Sequence, residues 1–236
     1  IQAYGSRVRI LVTETAEQLM IARETAKALE RKSASSATIP VAVSARHVHL
    51  SKEAVDALFG AGYELDQAIA LRQPALWPAK ERVTLQGPKG SLERVAILGP
   101  LRPRTQIEVS RTDSFTLGID VPVRDSGKLS GTPTISILGP AGAFTTDGLI
   151  IAARHIHANP RDATRLGLDD GEFVDVRVGD RHRGLTFART LVRVAEDSFT
   201  EMHIDTDEAN AAGIGIGAEG ELLPDTTATI RPAPTE

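Results

Sequence analysis

One short segment occurs twice in this chain, and any fold the chain adopts must accommodate both copies. Ala45-Arg46-His47-Val48-His49 returns 108 residues later as Ala153-Arg154-His155-Ile156-His157. The residues after each copy are also alike. Residues 51–58 and 159–166 start with good helix N-caps, Ser51 and Asn159, and run to a glycine, Gly60 or Gly167. Pro160 stands at the first helical position, where proline is tolerated. The repeated unit is therefore strand, histidine pair, short helix. With one gap the alignment continues through Ile107-Glu108-Val109 against Met202-His203-Ile204, and then through Leu117-Gly118-Ile119 against Ala212-Gly213-Ile214. Glu108 and His203 thus hold equivalent places in two related halves.

Beyond residue 39 the chain reads as short β-runs at 40–43, 82–86, 94–98, 105–110, 135–138, 149–153, 173–178, 185–194 and 201–204. Gly87-Pro88-Lys89-Gly90, Gly99-Pro100, Gly139-Pro140 and Asp170-Gly171 separate them. The pattern predicts a mainly β protein: two pseudo-symmetric β-barrel domains, 39–140 and 141–236, with short capping helices. Ahead of them, residues 13–32 carry a narrow apolar stripe (Leu19, Ala22, Ala26, Leu29) at helical spacing, and residues 33–38 (SASSAT) read as a linker. Residues 1–38 then form a segment of their own. Its amphipathic helix either packs on its own domain or a dimer partner, or docks in a groove of another protein.

Side chains at i and i+2 share one face of a strand, so each histidine pair can converge on one metal ion while Val48 or Ile156 enters the core. Five of the six histidines belong to the repeat and only His182 stands outside it. With zero cysteines the chain has no thiolate site, no disulfide and no cysteine nucleophile, and any transition metal falls to imidazole and carboxylate, which suits zinc. Each half offers three ligands: His47, His49 and Glu108, and His155, His157 and His203. They make either two related sites or one shared dinuclear centre. Three protein ligands leave a position open, the mark of a catalytic site. Arg102, in the Gly99-Pro100-Leu101-Arg102 turn ahead of Glu108, adds a guanidinium fork suited to an oxyanion such as phosphate.

A net charge of -4 gives no reason to expect nucleic-acid binding. No apolar run approaches a membrane span, and no segment has the layout of a secretory signal. A cytosolic enzyme fits these features.

The segment from Val41 to Ser51, the Leu98–Arg102 turn (98–102), residues 108–113, 122–127 and 152–157 together resemble the phosphate propanoyltransferases, the phosphotransacylases of bacterial microcompartments. The likeness runs from about residue 39 to 230. It implies two β-barrels, two zinc ions, and conversion of a short-chain acyl-CoA (propanoyl, with acetyl as the near neighbour) and phosphate to an acyl phosphate and CoA. It makes the six repeat residues the zinc ligands and gives Arg102 the phosphate contact. Trp77, in Gln73-Pro74-Ala75-Leu76-Trp77, and Phe115 become candidate CoA contacts. The segment 13–32 is similar to peptides that recruit such enzymes to microcompartment shell proteins, and a homodimer is expected. A dinuclear zinc hydrolase, thioesterase or phosphatase, is the alternative that the same ligands allow.

Overall fold

Glycine and proline turns break the chain after residue 38 into short runs, and those runs pair into two sheets. The computed structural model of the protein describes residues 20–23, 25–26, 37–68, 73–74 and 76–223. The chain divides into two units, Ile1–Ser35 and Ser36–Glu236. In the first, residues 20–23 and 25–26 are helical, with Met20 and Ile21 exposed. The rest of the expected 13–32 helix, and with it the docking role, lies outside the described residues.

The second unit runs β1 (Thr38–Ser44), β2 (His47–His49), α1 (Lys52–Phe59), β3 (Trp77–Gln86), β4 (Ser91–Gly99), β5 (Gln106–Glu108), α2 (Arg111–Leu117), β6 (Val123–Arg124), β7 (Ile135–Leu138), β8 (Ala143–Thr146), β9 (Leu149–Ala152), β10 (His155–Ala158), α3 (Pro160–Leu166), β11 (Phe173–Val178), β12 (Leu185–Val194), β13 (Glu201–Asp205), α4 (Thr206–Ala212) and β14 (Glu219–Leu223). Among the described residues no helix is long and apolar enough to cross a membrane.

The expected mainly β architecture is present, with one difference between its halves. Strands β1-β13-β10-β12-β11-β14 close a barrel, whereas β6-β9-β5-β2-β4-β3-β7-β8 form an open, half-barrel sheet of eight strands. Closure of the first depends on β14 meeting β1 in antiparallel register. The corresponding strands of the other sheet, β7 and β9, pair instead with β8 and β6, so the gap between them stays open. Each sheet buries its own core, Leu50, Leu58, Ile97, Ile107 and Leu149 in the open sheet and Ile39, Ile156, Val192 and Met202 in the barrel.

The sheets are assembled across the repeat boundary expected between residues 140 and 141. Strand β1 precedes the first histidine pair yet pairs in parallel with β13, Ala42 opposite His203. Strand β9 precedes the second pair yet pairs in parallel with β5, Ile150 opposite Glu108. Each half therefore lends its leading strand to the other half's sheet. Exchange of this kind buries both leading strands against long-range partners and makes separation of the halves costly. Thr112 and Asp207, equivalent residues at the starts of α2 and α4, meet directly through a 2.7 Å bond from the Thr112 amide to the Asp207 carboxylate.

Local structure agrees with the sequence pattern where side chains close to one another in the chain decide it. Ser51, Ser110, Asn159 and Asp205 each cap a helix that comes directly after a strand carrying candidate ligands. Strand β5 is shorter than the expected 105–110 because Ser110 leaves the ladder to form a capping box with Asp113. Both long hairpins carry a bulge at the same place, with Arg94 and Arg189 each at φ 55°, which sharpens strand twist where each sheet curls. Strand β8 has no apolar alternation to reveal it, since its four residues are exposed or half-exposed.

Candidate functional site

Residues paired directly across two antiparallel strands point their side chains to the same face. In the β2–β5 pair His47 lies opposite Glu108 and His49 opposite Gln106. In the β10–β13 pair His155 lies opposite His203 and His157 opposite Glu201. Each pair of strands thus presents four polar side chains at the corners of a square. Three corners of each offer ligand atoms within 4.8 Å of one another: His47, His49 and Glu108, and His155, His157 and His203. These are the two sets that the repeat singles out. The fourth corners, Gln106 and Glu201, are not among the expected site residues, although the alignment that equates Glu108 with His203 also equates these two.

The distances within each square fit a metal ion. Bonds of 2.0–2.1 Å in a tetrahedral site place neighbouring ligand atoms roughly 3.3 Å apart. The His155 and His157 Nε2 atoms are 3.1 Å apart, and His47 Nε2 is 3.5 Å from Glu108 Oε2. Ring orientations are fixed from behind. His47 Nδ1 meets the Ala45 carbonyl at 2.8 Å, His155 Nδ1 meets that of Ala153 at 2.9 Å, and His49 Nδ1 meets that of Leu98 at 3.0 Å. An Nδ1–H donated to a carbonyl selects the tautomer whose Nε2 lone pair is free to bind a cation. Glu201 lies beside the second set, with Oε1 3.1 Å from His203 Nε2, and accepts a 2.9 Å bond from Gln73 Nε2. Gln73 also donates to the Phe199 carbonyl and accepts from its amide, so residue 73 ties the first half to strand β13.

Burial favours the neutral form of three of these imidazoles, His49, His155 and His157, the form that ligation requires. Burial, helped by His47 and Arg102, pushes the His49 pKa down to about 2. Burial, with His203 and Arg193 adding to it, pushes that of His157 down to about 4. His155 is also held well below the ordinary value, chiefly by burial and then by Arg193. In the unfolded chain these rings titrate near 6.5, so below that pH the unfolded state binds protons that the folded state refuses. The stability of chelator-treated protein is therefore expected to be greatest above about pH 6.5 and to fall as the pH drops toward 4. Urea unfolding midpoints at pH 7.5 and pH 5 measure this, and equal midpoints would contradict it.

The arginine of each repeated Ala-Arg-His has a structural partner. Arg46 pairs with Asp113 at 2.8 Å and Arg154 with Glu208 at 2.6 Å, both partners being the N3 residue of the capping box on the helix after β5 or β13. These bonds lock β2 to the end of β5 and β10 to the end of β13. Arg102 is placed differently. Its amide donates to the Leu50 carbonyl just after β2, and its guanidinium reaches Ser126 Oγ at 3.5 Å. Burial lowers its pKa while the Glu108 charge raises it. Ser126 in turn accepts from Gln106 at 2.8 Å and approaches Glu108 at 3.4 Å.

Both triads, Arg102, Ser126, Gln73, Glu201 and Arg193 line a single cavity of about 680 Å³. Its volume suits a cofactor-sized ligand. Trp77 and Phe115 are not among its lining residues. The Trp77 ring packs against the first core and covers Gly99, and Phe115 stands on α2 with 73% of its surface exposed. His182 sits on an exposed turn beside Arg181, away from the cavity lining.

A sequence model described as phosphate propanoyltransferase matches residues 40–215, which takes in both triads and Arg102. The chain belongs to the phosphate propanoyltransferase family. It is 54% identical over 180 residues to the phosphate propanoyltransferase of Thermotoga maritima, covering 76% of this chain and 86% of that one. The enzyme of that name from Rhodopseudomonas palustris is 53% identical over 174 residues, 73% of this chain and 76% of its own length. That of Salmonella typhimurium is 49% identical over 176 residues, with 74% and 83% covered. Membership makes the chain an acyltransferase, and the matched span contains the cavity and each residue the repeat singled out.

Proposed function

We propose that this protein transfers a short-chain acyl group, propanoyl or acetyl, from coenzyme A to inorganic phosphate, at a centre where His47, His49 and Glu108 hold one zinc ion and His155, His157 and His203 hold another. The observation that carries the proposal is the opening of both triads onto one cavity together with Arg102. Bound zinc supplies charge neutralisation for phosphate and Lewis-acid polarisation of the thioester carbonyl. The Arg102 guanidinium donates to phosphate oxygens and offsets their charge, and Ser126 and Leu50 hold it over the first triad. Apolar walls from Ala42, Ala96, Leu98 and the buried Val109 limit the water that would otherwise compete with phosphate for the thioester. With no cysteine in the chain to take the acyl group, the simplest course is direct. A phosphate oxygen bonds to the carbonyl carbon, the carbon–sulfur bond breaks, and CoA leaves as thiolate.

In this reading CoA extends from the cavity toward solvent, where the exposed Phe115 ring is a contact for it and Trp77 serves packing. Recruitment to a microcompartment shell through residues 13–32, and pairing of two chains, belong to the same proposal. The test is thiol release from acetyl-, propanoyl- and butanoyl-CoA with and without phosphate, beside metal analysis. Phosphate-dependent release from protein holding about two zinc ions per chain is the expected result. Equal release without phosphate would make the protein a hydrolase. The acyl preference is expected to be shallow, since one methylene in an apolar pocket contributes about 1–3 kcal/mol.

A further inference from the structure

Many arginines of the described fold are engaged by acidic groups. Arg46, Arg104, Arg111, Arg154, Arg165 and Arg177 each have a carboxylate within 3.2 Å. Arg102 and Arg193 differ from these, and both line the cavity. Arg102 makes one long contact to Ser126 at 3.5 Å. Arg193 lies 3.8 Å from Asp125 Oδ1, beyond hydrogen-bond range, while Lys128 takes the other oxygen of that carboxylate at 2.8 Å. A guanidinium has five N–H donors. In a cavity partly closed to water, donors left without protein acceptors suit an incoming anion.

The placement of the two is related. Arg193 stands on β12 directly opposite His157 on β10, beside the second triad. Arg102 stands beside the first. Their contacts, Asp125 and Ser126, are consecutive residues of one turn, so a single loop spans the gap between the two guanidinium groups.

We infer that Arg193 is a second phosphate-binding residue, which with Arg102 clamps the phosphoryl group of phosphate or acyl phosphate from the side of the second triad. The inference rests on the acyl-transfer reading above. Inorganic phosphate is favoured over the phosphates of CoA because Arg193 lies beside the histidines, where the reacting end must be. The pantetheine arm holds the CoA phosphates far from the thioester.

The experiment compares Arg193→Gln and Arg193→Lys with the parent. Loss of a charge-assisted bond to phosphate is expected to raise the KM for phosphate about 10- to 100-fold in Arg193→Gln, with partial rescue in Arg193→Lys. The KM for acyl-CoA is expected to stay within about twofold, because its contacts are elsewhere. Metal content should match the parent. Inorganic phosphate alone should stabilise the parent against thermal unfolding and stabilise Arg193→Gln much less. An unchanged KM for phosphate, or a rise confined to acyl-CoA, would overturn the assignment, the latter by giving the arginine to CoA. Loss of zinc from Arg193→Gln would overturn it as well, by making the residue a support for the ligands. So would an Asp125→Asn variant that reproduces the whole effect together with a lowered melting temperature, since the arginine would then be a structural tie. The thermal arm needs no acyl transfer. A parent that binds phosphate through Arg193 but releases thiol without it would sink the acyl-transfer reading and leave the binding site standing.

Discussion

His155→Ala is expected to lower phosphate-dependent thiol release by at least about 10³-fold, while His182→Ala stays within about twofold of the parent. His155 sits beside both other candidate ligands of the second square, next to His157 on its own strand and across from His203. Its Nε2 is 3.1 Å from that of His157, its ring stacks on that of His203 at 5.3 Å, and its Nδ1 is tied to the Ala153 carbonyl. Truncation leaves two imidazoles and a neighbouring carboxylate to hold a cation that three ligands would otherwise fix. Metal analysis is the second readout, with zinc per chain falling in His155→Ala and unchanged in His182→Ala. His182 has the same side chain but sits on an exposed turn. Equal activity in the two variants would refute the metal centre. A fall in activity with full zinc retention would instead assign His155 a role in contacting substrate.

Gly148→Ala is expected to cost about 2–4 kcal/mol and to lower the melting temperature by about 5–15 °C. The position has φ +103°, which side chains rarely adopt, and a Cβ there would lie 2.5 Å from the Thr105 carbonyl oxygen. Neither neighbour can give way easily. The Gly148 amide donates to Thr132 Oγ1 at 2.8 Å, and its carbonyl accepts from Ile107 at 2.9 Å. Ile107 is the middle residue of β5, so relief of the clash moves the strand that carries Glu108. Chelator competition is therefore expected to show weakened metal retention as well as lower stability. Gly215→Ala is the control, with open space around its Cβ and no unusual φ, and should change the melting temperature little. A Gly148→Ala protein as stable as the control would mean that β5 is not held where this geometry places it.

The candidate ligands were legible because their pattern is local. His-x-His on a strand converges for the reason any i, i+2 pair does, and duplication marks both pairs. Placing Glu108 level with His203 needed only alignment of the halves, and register then put each opposite the first histidine of its pair. The capped helices were legible too, since Ser51 and Asn159 act on amides three residues away. Strands such as β8 and β14 were not, because their pattern is set by what they cover in space. Thr38, expected in the linker, instead opens β1, because the barrel supplies Glu221 as its partner. Gln106 and Glu201 were within reach of the alignment, but neither stands level with a histidine in the other half, as Glu108 does with His203, so nothing marked them out.

From its residues alone this chain determined a duplicated β unit, six candidate ligand side chains, an arginine suited to an oxyanion and a likeness to one family of acyltransferases. Each of these rests on chemistry that is local in sequence or copied between the halves. Tertiary structure decided the rest: which barrel closes, that β1 and β9 change places between sheets, that both triads share a cavity, and that Arg193 faces it without a close acceptor while Arg154 is bound to Glu208. Those outcomes depend on pairings between segments far apart in the chain. The energies of such pairings come from surface buried and hydrogen bonds made across that distance, and no short window of sequence contains both partners.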